Sequence, residues 1–440
     1  MSQRIFGQGD NEFESSDSPF NLFTKPTYNN DYYSWNDYTY KSKNPIQNSQ
    51  HNPIVFEFGG EDSRAYTLLH SLRIDGSLKV THSDGTDLEA DEKISPCNLF
   101  PHSLFQTIDI KINNQPISDH ARLYPHRAFL HTLLSYSKEA KEETQMCEYF
   151  LDEETKSDVV DDTSRQYVDK MALIKESRIC HFSFEPKIDT LTITRFFPPG
   201  HTISFEFIRS PTHFSLLGKD TTKKYKLEIV DMSLTCRQLL PSEPIEQKMK
   251  KLMLTRDIYL PLTRLVSRTR SLHAGLYDGT ITNAVTGKMP SHLMMVFLKN
   301  SQLSDDVSSN PFYFGRYGLE EACLLINGQT FPSEKITFNE ISKDYFRAFK
   351  FFLQNIGVSG DMSIGISPIR YMKDAFVLAY DLTPDSCLNN HLHHFDDVCI
   401  DIKLRFKEAL IHPLTVLYIM TYDSTVTISP DKSVSLDYTV

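Results

Sequence analysis

Tryptophan occurs once in this 440-residue chain, at Trp35, and cysteine only seven times. The cysteines, at 97, 147, 180, 236, 323, 387 and 399, are scattered, odd in number and contain no C-x-x-C pair. That argues against a disulfide framework and reads as free thiols in a reducing compartment. Long apolar runs are missing too. "HLMMVFL" and "TVLYIM" have the length of core strands, well short of the ~18 residues that span a bilayer, so no membrane span is expected. "MSQRIFGQGDNEFESS" has no apolar segment of the kind a secretory signal needs, and no N-x-S/T acceptor occurs, so secretion is not expected. The chain is expected to be made and kept inside a cell, in cytoplasm or nucleus, at least initially.

The recurrent catalytic signatures are absent as well. Gly218-Lys219 and Gly287-Lys288 lack the following Ser/Thr and the upstream Gly of a P-loop. Gly7-x-Gly9 follows no strand pattern, and no G-x-S-x-G elbow exists. Basic residues are not interleaved with aromatics, and the net charge of −11 opposes wrapping nucleic acid over the whole surface. One cluster could hold a metal: "NNHLHHFDD" brings His391, His393 and His394 close to Asp396 and Asp397. His-x-His beside a carboxylate is how some jelly-roll enzymes bind a metal. Here the acid is Asp where that motif prefers Glu, the leading Gly is missing, and the stretch is polar. A solvated loop is the expectation, with no metal, no cofactor and no catalytic residues.

What is present is period-two alternation. In "IDIKLRF", Ile400, Ile402, Leu404 and Phe406 face one way and Asp401, Lys403 and Arg405 the other. Ile108, Ile110 and Ile112 do the same, as do Ile203, Phe205 and Phe207. Strands with one dry and one wet face belong to antiparallel sandwiches. Only a few helices interrupt. One is expected near 126–136, one near 343–356 ending at Gly357, and a partly helical acidic insertion at about 138–170.

The chain also repeats itself. Asn98-Leu99-Phe100, Ile112-Asn113-Asn114-Gln115 and Arg127-Ala128-Phe129 recur in the same order as Asn310-Pro311-Phe312, Ile326-Asn327-Gly328-Gln329 and Arg347-Ala348-Phe349. Asn-Gly between alternating hydrophobics predicts a type I′ hairpin, and Asn-Asn can serve the same turn. Arg-Ala-Phe then opens a helix that lays its Phe on the sandwich. Ordered recurrence at a near-constant offset points to duplication. The division expected is an extended or flexible arm over 1–51, a first β-sandwich over 52–240, a linker over 241–250 and a second sandwich over 251–440. The arm carries Tyr32, Tyr33, Trp35, Tyr38 and Tyr40 as anchors for a partner. The acidic run 138–162 and the basic run 248–270 read as a solvated helix and a solvated linker, or else the basic run is a face turned to an acidic partner or a polyanion.

"NLFPHSLFQTIDIKINNQPIS" followed by "YPHRAFLHTLLSYSKEAK" resembles a block of the major capsid proteins of Polinton (Maverick), adintovirus-like elements. The matching positions are Asn98, His102, Ser103, Leu104, Phe105, Tyr124, Arg127 and Ala128. "NPFYFGRYGLEEACLLINGQTFP" and "AYDLTPDSC", with Asp381, Leu382, Thr383 and Pro384, resemble later segments of the same family. The resemblance implies an all-β fold of two tandem antiparallel eight-stranded jelly rolls, in the adenovirus-like capsid lineage. It implies a structural protein of a transposable element or virion, not an enzyme. As partners it implies two further copies in a homotrimer, neighbouring capsid trimers, and penton and minor capsid proteins. The loops are short for that lineage. Alternatives left open are a domesticated capsid-derived protein of a host genome, a tandem jelly-roll module that binds glycan or protein, a single-jelly-roll vertex protein and a bicupin-type metalloenzyme.

Overall fold

The computed structural model describes residues 31–46, 52–59, 64–118, 122–151, 154–155, 157–303, 307–339, 342, 344–358, 363–386 and 397–437. The first half contributes β1 (Tyr32–Lys41), β2 (Ile54–Gly59), β3 (Tyr66–His82), β4 (Ile94–Pro96) and β5 (Phe105–Ile112). It continues with β6 (Gln115–Pro116), β7 (Cys180–Phe184), β8 (Thr202–Arg209), β9 (Leu216–Gly218) and β10 (Tyr225–Pro241). The second half contributes β11 (Ile258–Leu272), β12 (Asp278–Lys288), β13 (His292–Lys299), β14 (Leu319–Ile326) and β15 (Gln329–Thr337). β16 (Leu378–Asp381), β17 (Asp397–Phe406), β18 (Leu414–Ile428) and β19 (Val434–Leu436) complete it.

The two halves have one topology. The first half forms sheets β1-β10-β3-β7 and β2-β8-β5-β6; the second forms β11-β18-β13-β16 and β12-β17-β14-β15. Passing over the short β4–β9 pair and β19, which adds to β18, the strands correspond one to one in chain order. Each half is therefore an antiparallel jelly roll of two four-stranded sheets, in agreement with the expected fold.

Alternation explains why the sheets face as they do. Ile54, Phe56 and Phe58 on β2 oppose Phe207, Phe205 and Ile203 on β8, and all six are buried. Their polar neighbours, such as Glu57 and Glu206, point outward. In the second half Ile400, Ile402, Leu404 and Phe406 form the buried stripe of β17.

The repeated hairpins take the turn their residues demand. Asn113 and Asn114 sit at φ 47° and 66°, Asn327 and Gly328 at 48° and 84°. Two consecutive residues at positive φ give the type I′ twist that matches paired strands. Each leading Asn also brackets the neighbouring strand. The Asn113 N–H donates to Thr202 O (2.8 Å) and its Oδ1 accepts from the Thr202 N–H (3.0 Å). Asn327 does the same with Cys399, at 2.9 Å in each direction.

The helices Tyr124–Ser135 and Tyr345–Asn355 follow the hairpins. The second ends as expected, with Gly357 at φ 74° donating to Gln354 O while Val358 N–H reaches Leu353 O. The acidic segment contains the helices Lys138–Glu143 and Arg165–Ile174.

Two expectations need correction. Tyr32–Lys41 does not stand apart as an arm; it is an edge strand laid along β10 from Tyr32↔Pro241 to Lys41↔Ser233. Its side chains are almost all exposed, so it carries no apolar alternation to betray it. The backbone ladder holds it, helped by Asp37 with Arg237, Lys41 with Asp231, and Arg237 stacked 4.3 Å from the Trp35 ring. Residues 1–30 lie outside the described residues. The segment 241–250 is also more than a linker. Pro244 sits in the first turn of the exposed helix Glu243–Met253, where Pro loses no hydrogen bond, and Lys250 and Lys251 lie in its last turn.

Candidate assembly interface

A buried polar site in the first half anchors the helix that meets the second half. His102, in the short helix Phe100–Ser103, is completely buried. Its Nδ1 is 2.8 Å from Tyr124 Oη and its Nε2 3.0 Å from Glu148 Oε2. The Tyr124 oxygen accepts from the Lys187 N–H (3.3 Å), so its hydroxyl donates to Nδ1 and the ring donates through Nε2 to the carboxylate. Burial holds the His102 imidazolium well below its ordinary range. Burial alone would raise Glu148, but His102 and the Lys187 ammonium outweigh it and hold the carboxylate ionised. Asn98 closes the rim, accepting from Leu151 N–H and donating to Leu151 O, both at 2.9 Å. A buried polar node costs desolvation unless every member is partnered, and this one fixes the geometry of the helix that follows.

That helix, Tyr124–Ser135, presents Arg127 to the second half. Arg127 Nη2 donates to Asp189 Oδ1 at 2.7 Å, and Nη1 reaches Leu265 O on β11 at 3.4 Å. The Leu265 N–H faces the Asp189 carboxyl, whose pKa burial raises and Arg127 pulls back. Two further groups of the first half engage the same strand. Thr192 Oγ1 accepts from Thr263 N–H (2.8 Å), and Arg195 Nη1 donates to Tyr259 O (2.7 Å). β11 is an edge strand, so its outward peptide groups need partners. Side chains of the first half supply them.

Aromatic packing completes the seam. Phe129 stacks on Phe312 and meets Phe314 edge-on at 5.6 Å. His126 sits between Phe214 (5.6 Å) and Phe312 (5.8 Å), and burial lowers its pKa to about 4. His131, beside Leu265 and Met294, is lowered to about 4 mainly by burial, assisted by the Lys187 charge. Phe129 thus lies on a sandwich, as expected of it, and the sandwich is that of the other half.

The acidic segment is a second strap rather than a solvated face. Asp158 takes the Lys299 ammonium at 2.9 Å, Asn310 N–H donates to Asp158 O at 2.6 Å, and Glu154 pairs with Lys373 at 2.6 Å. The copied motif behaves differently. Phe349 is half-buried against Tyr371, while Arg347 is exposed and paired with Glu334.

His391, His393 and His394 lie outside the described residues. Among the described residues, no group of three or more His, Cys, Asp or Glu is placed to hold a metal, and no helix is long and apolar enough to cross a membrane. Sequence reasoning missed Asp189, Thr192 and Arg195, because single polar residues in a loop carry no periodic or motif signal.

No protein-family model matches the chain. It is 19% identical over 392 residues to an uncharacterized protein of Caenorhabditis elegans, covering 86% of this chain and 90% of that one. Among solved structures it is similar to a chain of the Sputnik virophage, with TM-score 0.63, 12% identity, and coverage of 100% and 95% of the two chains. It is similar to the PBCV-1 virus capsid, with TM-score 0.55, 10% identity, and coverage of 95% and 100%. The major capsid protein of mavirus matches with TM-score 0.54, 9% identity, and coverage of 100% and 96%. Its structural neighbours are thus viral double jelly-roll capsid proteins, and the chain shares their fold.

Proposed function

We propose that this chain is a structural major capsid protein, of Polinton (Maverick) type, that assembles as a pseudo-hexagonal homotrimer and tiles an icosahedral shell. The observation that carries the reading is the identical strand order of the two halves, joined through a built polar and aromatic seam. Two equivalent modules give each chain two similar outer faces, so three chains present six. A closed ring of three satisfies cyclic symmetry, with an interface on the order of 2,000 Å² or more. Contacts between trimers can then be weak individually because many act together. The likeness to the mavirus and PBCV-1 capsid structures supports this reading.

In this reading the modules run from β1 to β10 and from β11 to β19, the product is located in a virion, and neighbouring trimers, penton and minor capsid proteins are its partners. Residues 1–30 and the basic stretch 248–270 contact neighbours or the inner side of the shell. In this reading His391, His393 and His394 hold no metal. A second reading, a capsid-derived protein domesticated in a host genome, is favoured by the Caenorhabditis elegans relative. Native mass with negative-stain imaging tests the assembly. Three copies with a hexagonal outline are expected, and a chain that stays single at high concentration would overturn the proposal. Deleting 1–30, which spares β1, should weaken contacts between trimers.

A further inference from the structure

The seam inside the chain specifies a contact between chains. Its recognition element is the Arg127–Asp189 pair, which sets the guanidinium on the Leu265 carbonyl and turns the carboxyl toward the Leu265 N–H on a sheet edge. Strand register locates the counterparts of all three residues. β1 and β11 begin at Tyr32 and Ile258, and β7 ends at Phe184 as β16 ends one residue past Tyr380; aligned on these ends, Phe184, paired with Ile74, matches Tyr380, paired with Leu293. Carried forward without gaps, "FSFEPKIDT" (182–190) lies over "LAYDLTPDS" (378–386), which places Asp385 at the position of Asp189. Arg347 is the counterpart of Arg127 through the repeated Arg-Ala-Phe.

The peptide they would hold follows from the other edge. Ile74 pairs with Leu234 as Leu293 pairs with Met420, and these two residues pair in turn with Tyr40 and Val266. Thr39 therefore stands where Leu265 stands. The positions agree in detail. Thr39 and Thr235 bring their hydroxyls to 3.1 Å, as close side chains do in pairs whose peptide groups point away from each other. Two residues earlier, Asp37 N–H turns to Asn36 Oδ1 (3.0 Å), where its counterpart Thr263 N–H turns to Thr192. β1 is an edge strand whose Tyr33 and Trp35 are 71% and 59% exposed, whereas β11 at the same place is covered by the first half.

We propose that Arg347 and Asp385 of one copy clamp the Thr39 peptide on the free edge of β1 in a second copy, repeating across the chain boundary the grip of Arg127 and Asp189 on Leu265. The partner is another copy of this chain, because the receiving edge and the clamp are the two ends of one repeated contact. Such a head-to-tail contact closes into a ring or runs on as a filament, so this inference rests on the reading that three copies close. In the isolated chain Arg347 is held by Glu334, a surface pair that docking exchanges for a carbonyl and a carboxylate.

The experiment uses the full chain. Mass photometry over a dilution series measures the assembly, and hydrogen exchange reads the Thr39 amide. Wild type is expected to form three-copy particles with Thr39 protected. Arg347→Ala, at an exposed site, should raise the concentration at which the particles dissociate at least tenfold and deprotect Thr39. Thr39→Pro removes the outward N–H from an edge strand that tolerates proline, and should act in the same direction. Arg347→Lys keeps the charge without the planar fork and should fall between. Three-copy particles in which both Ala and Pro variants dissociate like wild type, with Thr39 unprotected throughout, would overturn the clamp and leave the capsid reading standing. A wild-type chain that stays single at every concentration would overturn both.

Discussion

Phe129 and Phe312 lie face to face across the seam, their ring centroids 4.6 Å apart and their planes within 5° of parallel. One belongs to the helix of the first jelly roll and the other to the copied motif of the second. The contact therefore joins the third member of the repeat in the first half to the first member of its copy in the second. Phe129→Ala should cost roughly 3–5 kcal/mol, the range for emptying a buried aromatic site. Phe349→Ala, at the equivalent but half-buried position, should cost clearly less. Urea denaturation of the two variants measures the difference, and equal losses would contradict the assignment of the seam.

The hairpin brackets can be tested separately. Asn327→Ala loses the Oδ1 that accepts from Cys399 N–H and forces an L side chain into the left-handed region without compensation. A loss of about 1–2 kcal/mol is expected, from the hydrogen bond and the backbone together. Asn113→Ala should match it, because Thr202 stands where Cys399 stands. Replacing Asn114 by Gly, as at Gly328, should be tolerated, and melting temperatures would show this.

Breaking the buried node should be more costly. Glu148→Ala leaves His102 without its acceptor and the Lys187 ammonium, 3.9 Å away, without its counter-charge. Removing one member of a buried pair costs roughly 3–5 kcal/mol. Glu148→Gln keeps an acceptor and should recover part of this. A mild effect of both, read by calorimetry, would mean that the node adds little to the fold.

Acid should loosen the seam. His126 and His131 are held at about 4, below the ordinary histidine value, so the unfolded chain takes up protons at higher pH than the native one. The stability they permit is complete above about pH 6.5 and drains away as pH falls towards 4, by on the order of 3 kcal/mol for each group. His126→Phe should flatten part of that fall. Chemical denaturation at pH 7, 5.5 and 4.5 provides the comparison, and parallel curves for variant and wild type would refute the role of His126.

Much of this architecture was legible in the residues. The alternation of Ile400, Ile402, Leu404 and Phe406 fixes which face of β17 is dry, since period two leaves a strand no other way to bury them. Asn327-Gly328 and Asn113-Asn114 name their turns through the φ angles they tolerate, and their recurrence identifies the duplication. β1 was not legible, because an edge strand held by its backbone ladder needs no apolar pattern.

Local chemistry, then, determined the strands, the turns and the fact of two copies. Only the tertiary structure decided that Arg127 would be buried on Asp189 and Leu265 while Arg347 stays at the surface. The same triplet has two fates because the helix of the first module meets the other half while Arg347 on the helix of the second pairs with Glu334 of its own half, and a sequence records residues but not what lies across from them.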